Sequence, residues 1–213
     1  MSEPEQRRTV YDMITTLPQY TGLTQFPFDP HGWVDASSHL MEILRDVHPK
    51  HVVEVGVWMG MTTKYFCDQP SVVDVTCVDH WDARLIDQNS IDMSKQPRNR
   101  VDTMYEQFLA NCYGYGIWKR VYPVRLPSLE GAKYCAALGL KFDLIWIDAD
   151  HSTKSACDDI EAWMPLMHPE GIMCGDDWYF FSEPYSVRTA VIDSAAKFGL
   201  TGHFKGNIWW YTK

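Results

Sequence analysis

Acidic residues and a histidine directly follow two apolar segments of the chain. Asp148, Asp150 and His151 come after the run FDLIWI, and Asp176 and Asp177 come after GIMCG. If both runs are neighbouring parallel strands, these residues lie together at the carboxyl edge of a sheet, where open parallel sheets bind their ligands. The carboxylates of Asp148, Asp176 and Asp177 would then converge at one point.

Carboxylates packed this closely raise one another's pKa unless a cation lies among them. Oxygen ligands without cysteine are typical of Mg²⁺, Mn²⁺ or Ca²⁺ rather than zinc. We therefore predict that Asp148, Asp176 and Asp177 hold one divalent cation, with magnesium as the first choice. The alternative is that Asp150 and the 176–177 pair cap helices or form turns, as acidic residues often do.

A glycine-bearing turn follows the first apolar run. Gly56 and Gly60 come after Glu54 in the segment EVGVWMG, and Asp79 ends the next apolar run. Glycines let a ligand approach the backbone, and an acidic residue at the next strand end can bind a ribose diol. The pattern favours a nucleoside-type cofactor, with a simple tight turn as the alternative. The GxxxG spacing, with Trp58 in its middle, disfavours NAD, whose fingerprint is GxGxxG.

The elements that must position these residues alternate along the chain. The predicted strands are HVVEVG, VVDVTCVD, VYPVRL, FDLIWID and GIMCGDD. Strands that are apolar on both faces and separated by helices predict a parallel sheet covered by helices on both sides. Two aromatic runs at the end of the chain, TGHFKG and NIWWYTK, are close enough to pair antiparallel. We expect an α/β, doubly wound, mostly parallel seven-stranded sheet with an antiparallel C-terminal hairpin.

The remaining segments set the predicted domain organisation. Residues 1–50 read as an N-terminal helical extension, with VYDMITTL and WVDASSHLMEILRDV as its helical pieces. Residues 51–213 form the predicted domain. The polar segment at 82–100 is either a mobile lid or a surface loop.

Composition limits the partners and the location of the protein. The 213 residues are 46% hydrophobic and 22% charged, which is typical of a globular domain. A formal net charge of -9 argues against nucleic acid as a partner. The polar start MSEPEQRR and the lack of a long apolar run predict neither a signal peptide nor a membrane span, so we expect a cytoplasmic protein. The six cysteines form no CxxC pair and read as reduced, packed thiols.

The chain resembles the class I S-adenosylmethionine-dependent methyltransferases. VVEVGVWMG is similar to their first cofactor motif, VTCVD to their second-strand acidic motif, and the block from IDADH to GDDW to their fourth-to-fifth-strand region. That block is the most specific part. It resembles the small-molecule O-methyltransferases that bind a divalent ion, including the macrolide-sugar type and, more distantly, the catechol type. The resemblance covers residues 51–213, and Gly32-Trp33 is similar to the segment that precedes the first helix of the family.

The resemblance implies roles for the first predicted turn in binding the methionine part of S-adenosylmethionine. Glu54 and Gly56 would hold this part of the cofactor, and Gly60 belongs to the same turn. Thr62 or Thr63 would lie near the cofactor carboxylate.

The resemblance also implies the nucleoside contacts and the catalytic residues. Asp79 would bind the ribose hydroxyls, and Trp81 and Ser128 would lie next to the adenine. Asp148 would be a metal ligand and catalytic residue, together with His151 as the general base. An imidazole, with an ordinary pKa of about 6.5, can remove a proton at neutral pH. Hydrogen bonding at the start of the following helix is the open alternative for His151.

The leading hypothesis is therefore an enzyme that methylates a hydroxyl of a small molecule, with a sugar or polyol as first candidates. The alternatives are an inactive S-adenosylmethionine-binding module and a metal-free N-methyltransferase. The aromatic residues at 178–181 could line a substrate pocket, complete the core edge or form a dimer surface, so a homodimer stays open.

Overall fold

A computed structural model describes residues 7–20, 26, 28–29, 38–82, 104–179 and 186–213. Within these ranges the chain forms seven α-helices and seven strands. The helices are α1 Val10–Thr16, α2 Ser38–Val47, α3 Met61–Cys67, α4 Met104–Gly114, α5 Ser128–Ala137, α6 Thr153–Trp163 and α7 Ser186–Phe198. The strands are β1 His51–Val55, β2 Asp74–Asp79, β3 Val121–Arg125, β4 Phe142–Ile147, β5 Met167–Gly175, β6 Thr201–Lys205 and β7 Ile208–Thr212.

The seven strands form one sheet in the order β3-β2-β1-β4-β5-β7-β6. Strands β1 to β5 are parallel, and β7 is antiparallel to both β5 and β6. The predicted α/β fold with its C-terminal hairpin is confirmed. The strand order reverses between β1 and β4, and ligands bind at the carboxyl ends beside such a switch point.

Two apolar layers pack on the two faces of the sheet, because side chains alternate along each strand. Val52 of β1 belongs to one layer, which contains residues of α2, α3 and α4. Its neighbour Val53 belongs to the other layer, which contains residues of α5, α6 and α7. Both faces of the central strands are thereby covered, which explains why their sequences are almost continuously apolar.

The structure differs from the predicted elements at α6 and β5. The segment TKSACDDIEAWMPLM, by its sequence, predicts one helix that reaches Met167. In the structure α6 ends at Trp163, and a short 3-10 turn spans Met164–Leu166. Pro165 lies in that turn, and proline cannot donate the backbone hydrogen bond that would continue the α-helix. Strand β5 begins before the predicted run GIMCG, and its first half contains exposed polar residues.

Several predictions concern residues outside the described ranges. These are the pair Gly32-Trp33, most of the 82–100 segment and the aromatic residues at 180–181. In the part of the chain that the structure describes, every helix is too short or too polar to cross a bilayer.

Candidate active site

Glu54 lies buried near the end of β1, directly before the turn Gly56–Gly60, called here the glycine turn. Its side chain is 1% exposed and accepts a hydrogen bond from Thr63 Oγ1 at 2.5 Å. Burial raises the pKa of Glu54 well above its usual value, and the charge of Asp148 acts in the same direction. Burial therefore favours the neutral form of the Glu54 carboxyl, and a positive charge beside it would favour ionisation. The Thr63 hydroxyl therefore uses its hydrogen to bind Glu54.

The glycine turn is held by left-handed backbone conformations. Gly56 has φ +83°, Gly60 has φ +85°, and Trp58 between them has φ 53°. A Cβ atom at Gly56 would lie 1.9 Å from the backbone oxygen of Asp148, so only glycine lets the ends of β1 and β4 approach this closely. Thr62 follows the turn in the first turn of α3 and is also buried.

Asp79 ties the glycine turn to the loop after β2. Its Oδ2 accepts hydrogen bonds from the backbone nitrogens of Val57 at 2.9 Å and Trp58 at 3.1 Å. Its Oδ1 accepts from the backbone nitrogen of Trp81 at 2.7 Å. A carboxylate has about four lone-pair positions, so this one keeps capacity for one further donor.

Trp81 and Ser128 both have partners inside the protein. Trp81 is 1% exposed, its ring packs on Tyr105 and Phe108, and its Nε1 donates to the backbone oxygen of Trp58 at 2.7 Å. Adenine stacking by Trp81 stays a prediction, because protein covers its ring here. Ser128, at the start of α5, accepts a hydrogen bond from Trp163 Nε1 at 2.9 Å.

Asp148, His151 and Asp177 meet at the carboxyl ends of β4 and β5, and we call them the Asp-His cluster. Each offers one ligand atom, and these atoms all lie within 4.8 Å of one another. His151 Nε2 lies 2.7 Å from Asp177 Oδ2. The pairing of Ile147 with Gly175 places the two strand ends side by side, as the sequence predicted.

Asp176 takes a different position from the other two predicted ligands. Its Oδ1 accepts a hydrogen bond from the backbone nitrogen of Asp177 at 2.8 Å, and its backbone oxygen accepts from Trp209 Nε1 at 2.9 Å. Asp177 has φ 65°, which is rare for a residue other than glycine and is often found at functional sites. Asp176 therefore helps to fix the Asp177 backbone, and its role as a metal ligand stays a prediction.

The pKa values of Asp148 and His151 are both raised. Burial, together with the carboxylates of Asp177 and Asp176, raises the pKa of Asp148 to about 8. Burial alone would lower the pKa of His151, but the hydrogen bond and charge of Asp177 outweigh it and raise this pKa above its usual value. Without a cation, these interactions therefore favour the protonated forms of Asp148 and His151.

The residues on either side of His151 form the turn and the cap at the start of α6. Asp150 Oδ1 accepts a hydrogen bond from the backbone nitrogen of Ser152 at 2.7 Å. Ser152 is the N-cap of α6, with its side chain accepting from Ser155 N at 3.2 Å. Asp150 therefore shapes the turn and Ser152 caps the helix, while the His151 ring contacts Asp177.

The Asp-His cluster lines a pocket whose other walls are largely apolar. Besides the acidic residues and His151, it is lined by Ile147, Ala149, Ala156, Val187 and Trp209. Nearby, Trp178 and Phe204 stack with their ring centroids 4.4 Å apart. Tyr179 meets Phe204 edge to face, and both rings are partly exposed. The contribution of Phe204 had no signal in the sequence, since it comes from the distant hairpin.

Two helices near the site each carry a buried polar side chain. Asp159 of α6 is 5% exposed, and a hydrogen bond from Ser128 reaches its carboxylate. Asn111 of α4 is fully buried and contacts the backbone oxygen of Met59 in the glycine turn at 3.1 Å. Asn111 was not among the predicted site residues.

Comparisons with known proteins identify the family and the fold of the chain. A family described as "Methyltransferase domain" matches residues 53–178. No curated protein matches the chain by sequence.

Solved structures share the fold at low sequence identity. A Bacillus cereus O-methyltransferase in complex with SAH is 13% identical with a TM-score of 0.62, covering 95% of this chain and 96% of its own. The SAH-bound Podospora anserina methyltransferase PaMTH1 is 16% identical with a TM-score of 0.58, covering 88% and 82%. A TDP-rhamnose 3'-O-methyltransferase of calicheamicin biosynthesis is 14% identical with a TM-score of 0.52, covering 94% and 85%.

Proposed function

Since the chain belongs to the methyltransferase-domain family and is an S-adenosylmethionine-dependent methyltransferase, we propose that it methylates a hydroxyl of a small molecule with the help of a divalent cation. The observation that carries this proposal is the convergence of Asp148, His151 and Asp177 within 4.8 Å. It combines two carboxyl groups that could bind a cation with an imidazole that can accept a proton. The O-methyltransferases among the solved structures of the same fold support the choice of a hydroxyl acceptor.

The residues around the glycine turn fit S-adenosylmethionine. This cofactor supplies a methyl group that its positively charged sulfur has already activated. The buried Glu54 carboxyl offers a partner for the positively charged methionine part of the cofactor, and such a charge would offset the effect of burial on the ionisation of Glu54. Asp79 keeps one acceptor position for a ribose hydroxyl while its other bonds hold the turn in shape.

The Asp-His cluster fits a divalent cation. Such a cation lowers the pKa of a hydroxyl that binds to it and fixes its direction. Asp148 and Asp177 would supply carboxylate ligands, and Asp176 would hold Asp177 in place or serve as a third ligand. Burial is the main reason for the raised pKa of Asp148, and the carboxylates of Asp177 and Asp176 raise it further. A cation between these carboxylates would relieve their repulsion, which supports the fit.

His151 would accept the proton of the acceptor hydroxyl. In the cation-free cluster Asp177 stabilises the protonated imidazole, which is the wrong form for a base. If Asp177 instead binds a cation, the interaction that raises the pKa of His151 weakens, and the imidazole is neutral in a larger fraction of molecules. The same carboxylate thus links metal binding to the protonation state of the base.

The surroundings of the cluster suggest the kind of acceptor. Val187 and Trp209 form an apolar wall beside His151. Tyr179 and Phe204 present partly exposed rings at the same edge of the sheet. Aromatic rings beside a few polar groups are typical of sites for ring-shaped small molecules, and this arrangement favours a sugar or another cyclic alcohol.

The test is methyl transfer from labelled S-adenosylmethionine to a panel of sugars, nucleotide sugars and polyols, with amines as matched non-hydroxyl acceptors. We expect label on a hydroxyl, loss of transfer in EDTA and recovery with Mg²⁺ or Mn²⁺. The variant Asp177→Asn should behave like the EDTA sample, and Asp158→Asn on the surface of α6 serves as its control. Full turnover in EDTA with label on an amine would instead support a metal-free N-methyltransferase. Binding of SAH without transfer to any acceptor would support an inactive binding module.

A further inference from the structure

Asn111 is a buried amide that joins the N-terminal extension to the glycine turn. Its Nδ2 donates to the backbone oxygens of Asp29 at 2.9 Å and Met59 at 3.1 Å. Its Oδ1 accepts from the backbone nitrogen of Asp29 at 3.0 Å and from Gln107 Nε2 at 3.0 Å. One side chain therefore bonds both backbone groups of Asp29 and a carbonyl of the turn.

The helix that carries Asn111 supports the same turn by packing. A Cβ atom at Gly60 would lie 3.1 Å from the ring of Phe108, one helical turn before Asn111. The ring of Trp81, which also bonds the glycine turn, packs on Phe108 and Tyr105. Helix α4 is therefore the surface on which the glycine turn rests.

The N-terminal extension lies against the same helix. Tyr105 of α4 meets Tyr20 edge to face with ring centroids 5.7 Å apart, and its hydroxyl lies 3.0 Å from the sulfur of Met13. These contacts position the extension by packing, whereas the Asn111 amide provides, among the residues that the structure describes, a directional link to the turn. Without that amide, the backbone groups of Asp29 and the buried carbonyl of Met59 would lose these hydrogen bonds.

We infer that Asn111 is a positioning residue, through which the N-terminal extension helps to keep the glycine turn in the conformation that binds the cofactor. This inference rests on the proposed placement of S-adenosylmethionine at the turn, but on neither the metal nor the acceptor. Asn111 itself acts through the backbone of Met59. Its removal should weaken cofactor binding, whereas the loss of a buried hydrogen bond far from the turn should not.

The experiment measures binding of SAH to full-length Asn111→Leu by calorimetry in EDTA, with the thermal midpoint of each protein recorded alongside. The leucine has a similar shape but neither donates nor accepts. We expect the dissociation constant for SAH to rise about ten-fold or more, equivalent to the loss of one or two buried hydrogen bonds. The matched control is Tyr211→Phe, which removes the buried bond from Tyr211 to the backbone oxygen of Val191 on the other side of the sheet. That variant should lose stability while its affinity for SAH stays within two-fold of the wild type.

A second measurement on the wild type remains informative if Asn111→Leu does not fold. SAH should slow amide hydrogen exchange at 56–60 and also at Asp29, because the amide links the two segments. Protection at the turn without protection at Asp29 would overturn the inference, as would an unchanged SAH affinity in a folded Asn111→Leu protein. Failure of the wild type to bind SAH would contradict the proposed function instead.

Discussion

His151 Nε2 and Asp177 Oδ2 lie 2.7 Å apart at the ends of two neighbouring strands, with Asp148 beside them. This pair connects the two chemical tasks of the proposed reaction. Asp177 favours the protonated form of His151 when no cation is present, and it is itself a candidate ligand for that cation. Metal binding and base activation are therefore expected to change together rather than independently.

Substitution of Asp177 should separate catalysis from cofactor binding. Asp177→Asn keeps the size of the side chain but removes its charge, so we expect turnover to fall at least about a hundred-fold, while the affinity for SAH changes little. Steady-state rates and SAH calorimetry on the same preparation check both parts. Asp158→Asn, which breaks only the exposed pair with Lys154, should change neither quantity. A comparable fall in SAH affinity would place Asp177 in the cofactor site instead.

Substitution of His151 distinguishes a base from a structural residue. If His151 accepts the hydroxyl proton, His151→Ala should lower turnover by roughly a hundred-fold and remove one ionisation from the pH-rate profile. Ser152→Ala provides the comparison, because it removes the side-chain cap of α6 and should cost about 0.5 to 2 kcal/mol of stability. A His151→Ala protein with the stability loss of Ser152→Ala and nearly normal turnover would show that His151 stabilises the helix start.

Asp79 should be important for cofactor affinity. Asp79→Ala removes the acceptors for Val57 N, Trp58 N and Trp81 N and also the proposed ribose partner. Loss of a charge-assisted hydrogen bond costs about 1.5 to 3 kcal/mol, so we expect SAH affinity to fall more than ten-fold. Calorimetry measures this directly, and unchanged affinity in a folded variant would remove Asp79 from the site.

The buried carboxyl of Asp159 should make the free energy of unfolding depend on pH, apart from any effect of the Asp-His cluster. Burial raises the pKa of Asp159 to about 6, so the folded protein binds its proton more tightly than the unfolded chain does. The contribution of Asp159 to the free energy of unfolding is therefore greatest below about pH 4 and falls as the pH rises towards 6. Once the carboxyl is ionised, the loss amounts to about 3 kcal/mol.

Asp159→Asn should therefore be more stable than the wild type at pH 8, with the difference shrinking as the pH is lowered to 5. Urea unfolding at several pH values measures this difference. The neighbouring Asp158→Asn should show no such dependence, because Asp158 is partly exposed and paired with Lys154. A pH-independent difference for Asp159→Asn would mean that the carboxyl is not destabilised by burial.

The predicted strands β1 to β4 follow from the sequence because both of their faces are buried, which leaves almost continuous apolar runs. The Asp-His cluster could be anticipated because its members directly follow such runs. The first half of β5 could not, because His168 and Glu170 are exposed and polar although their backbone is extended. A strand of this kind can be recognised only from its pairing with a neighbouring strand, here β4.

Asn111 could not be recognised from sequence for a related reason. A polar residue in an amphipathic helix normally indicates the solvent-facing side, but its partners here are backbone groups of Asp29 and Met59, far away in the chain. Asp159 is similar, since the Ser128 hydroxyl that bonds it belongs to another helix. Burial of single polar groups depends on tertiary contacts that local patterns do not encode.

We propose that the Asp-His cluster holds a catalytic divalent cation. Titration of Mn²⁺ into the SAH-bound protein, with the free ion followed by electron paramagnetic resonance, measures this binding directly. We expect one Mn²⁺ per chain in the wild type and loss of this site in Asp148→Asn and Asp177→Asn, with Asp158→Asn behaving as the wild type. A wild type that binds no Mn²⁺ saturably, or Asp148→Asn and Asp177→Asn variants that bind it as tightly as the wild type, would show that the cluster does not hold the cation.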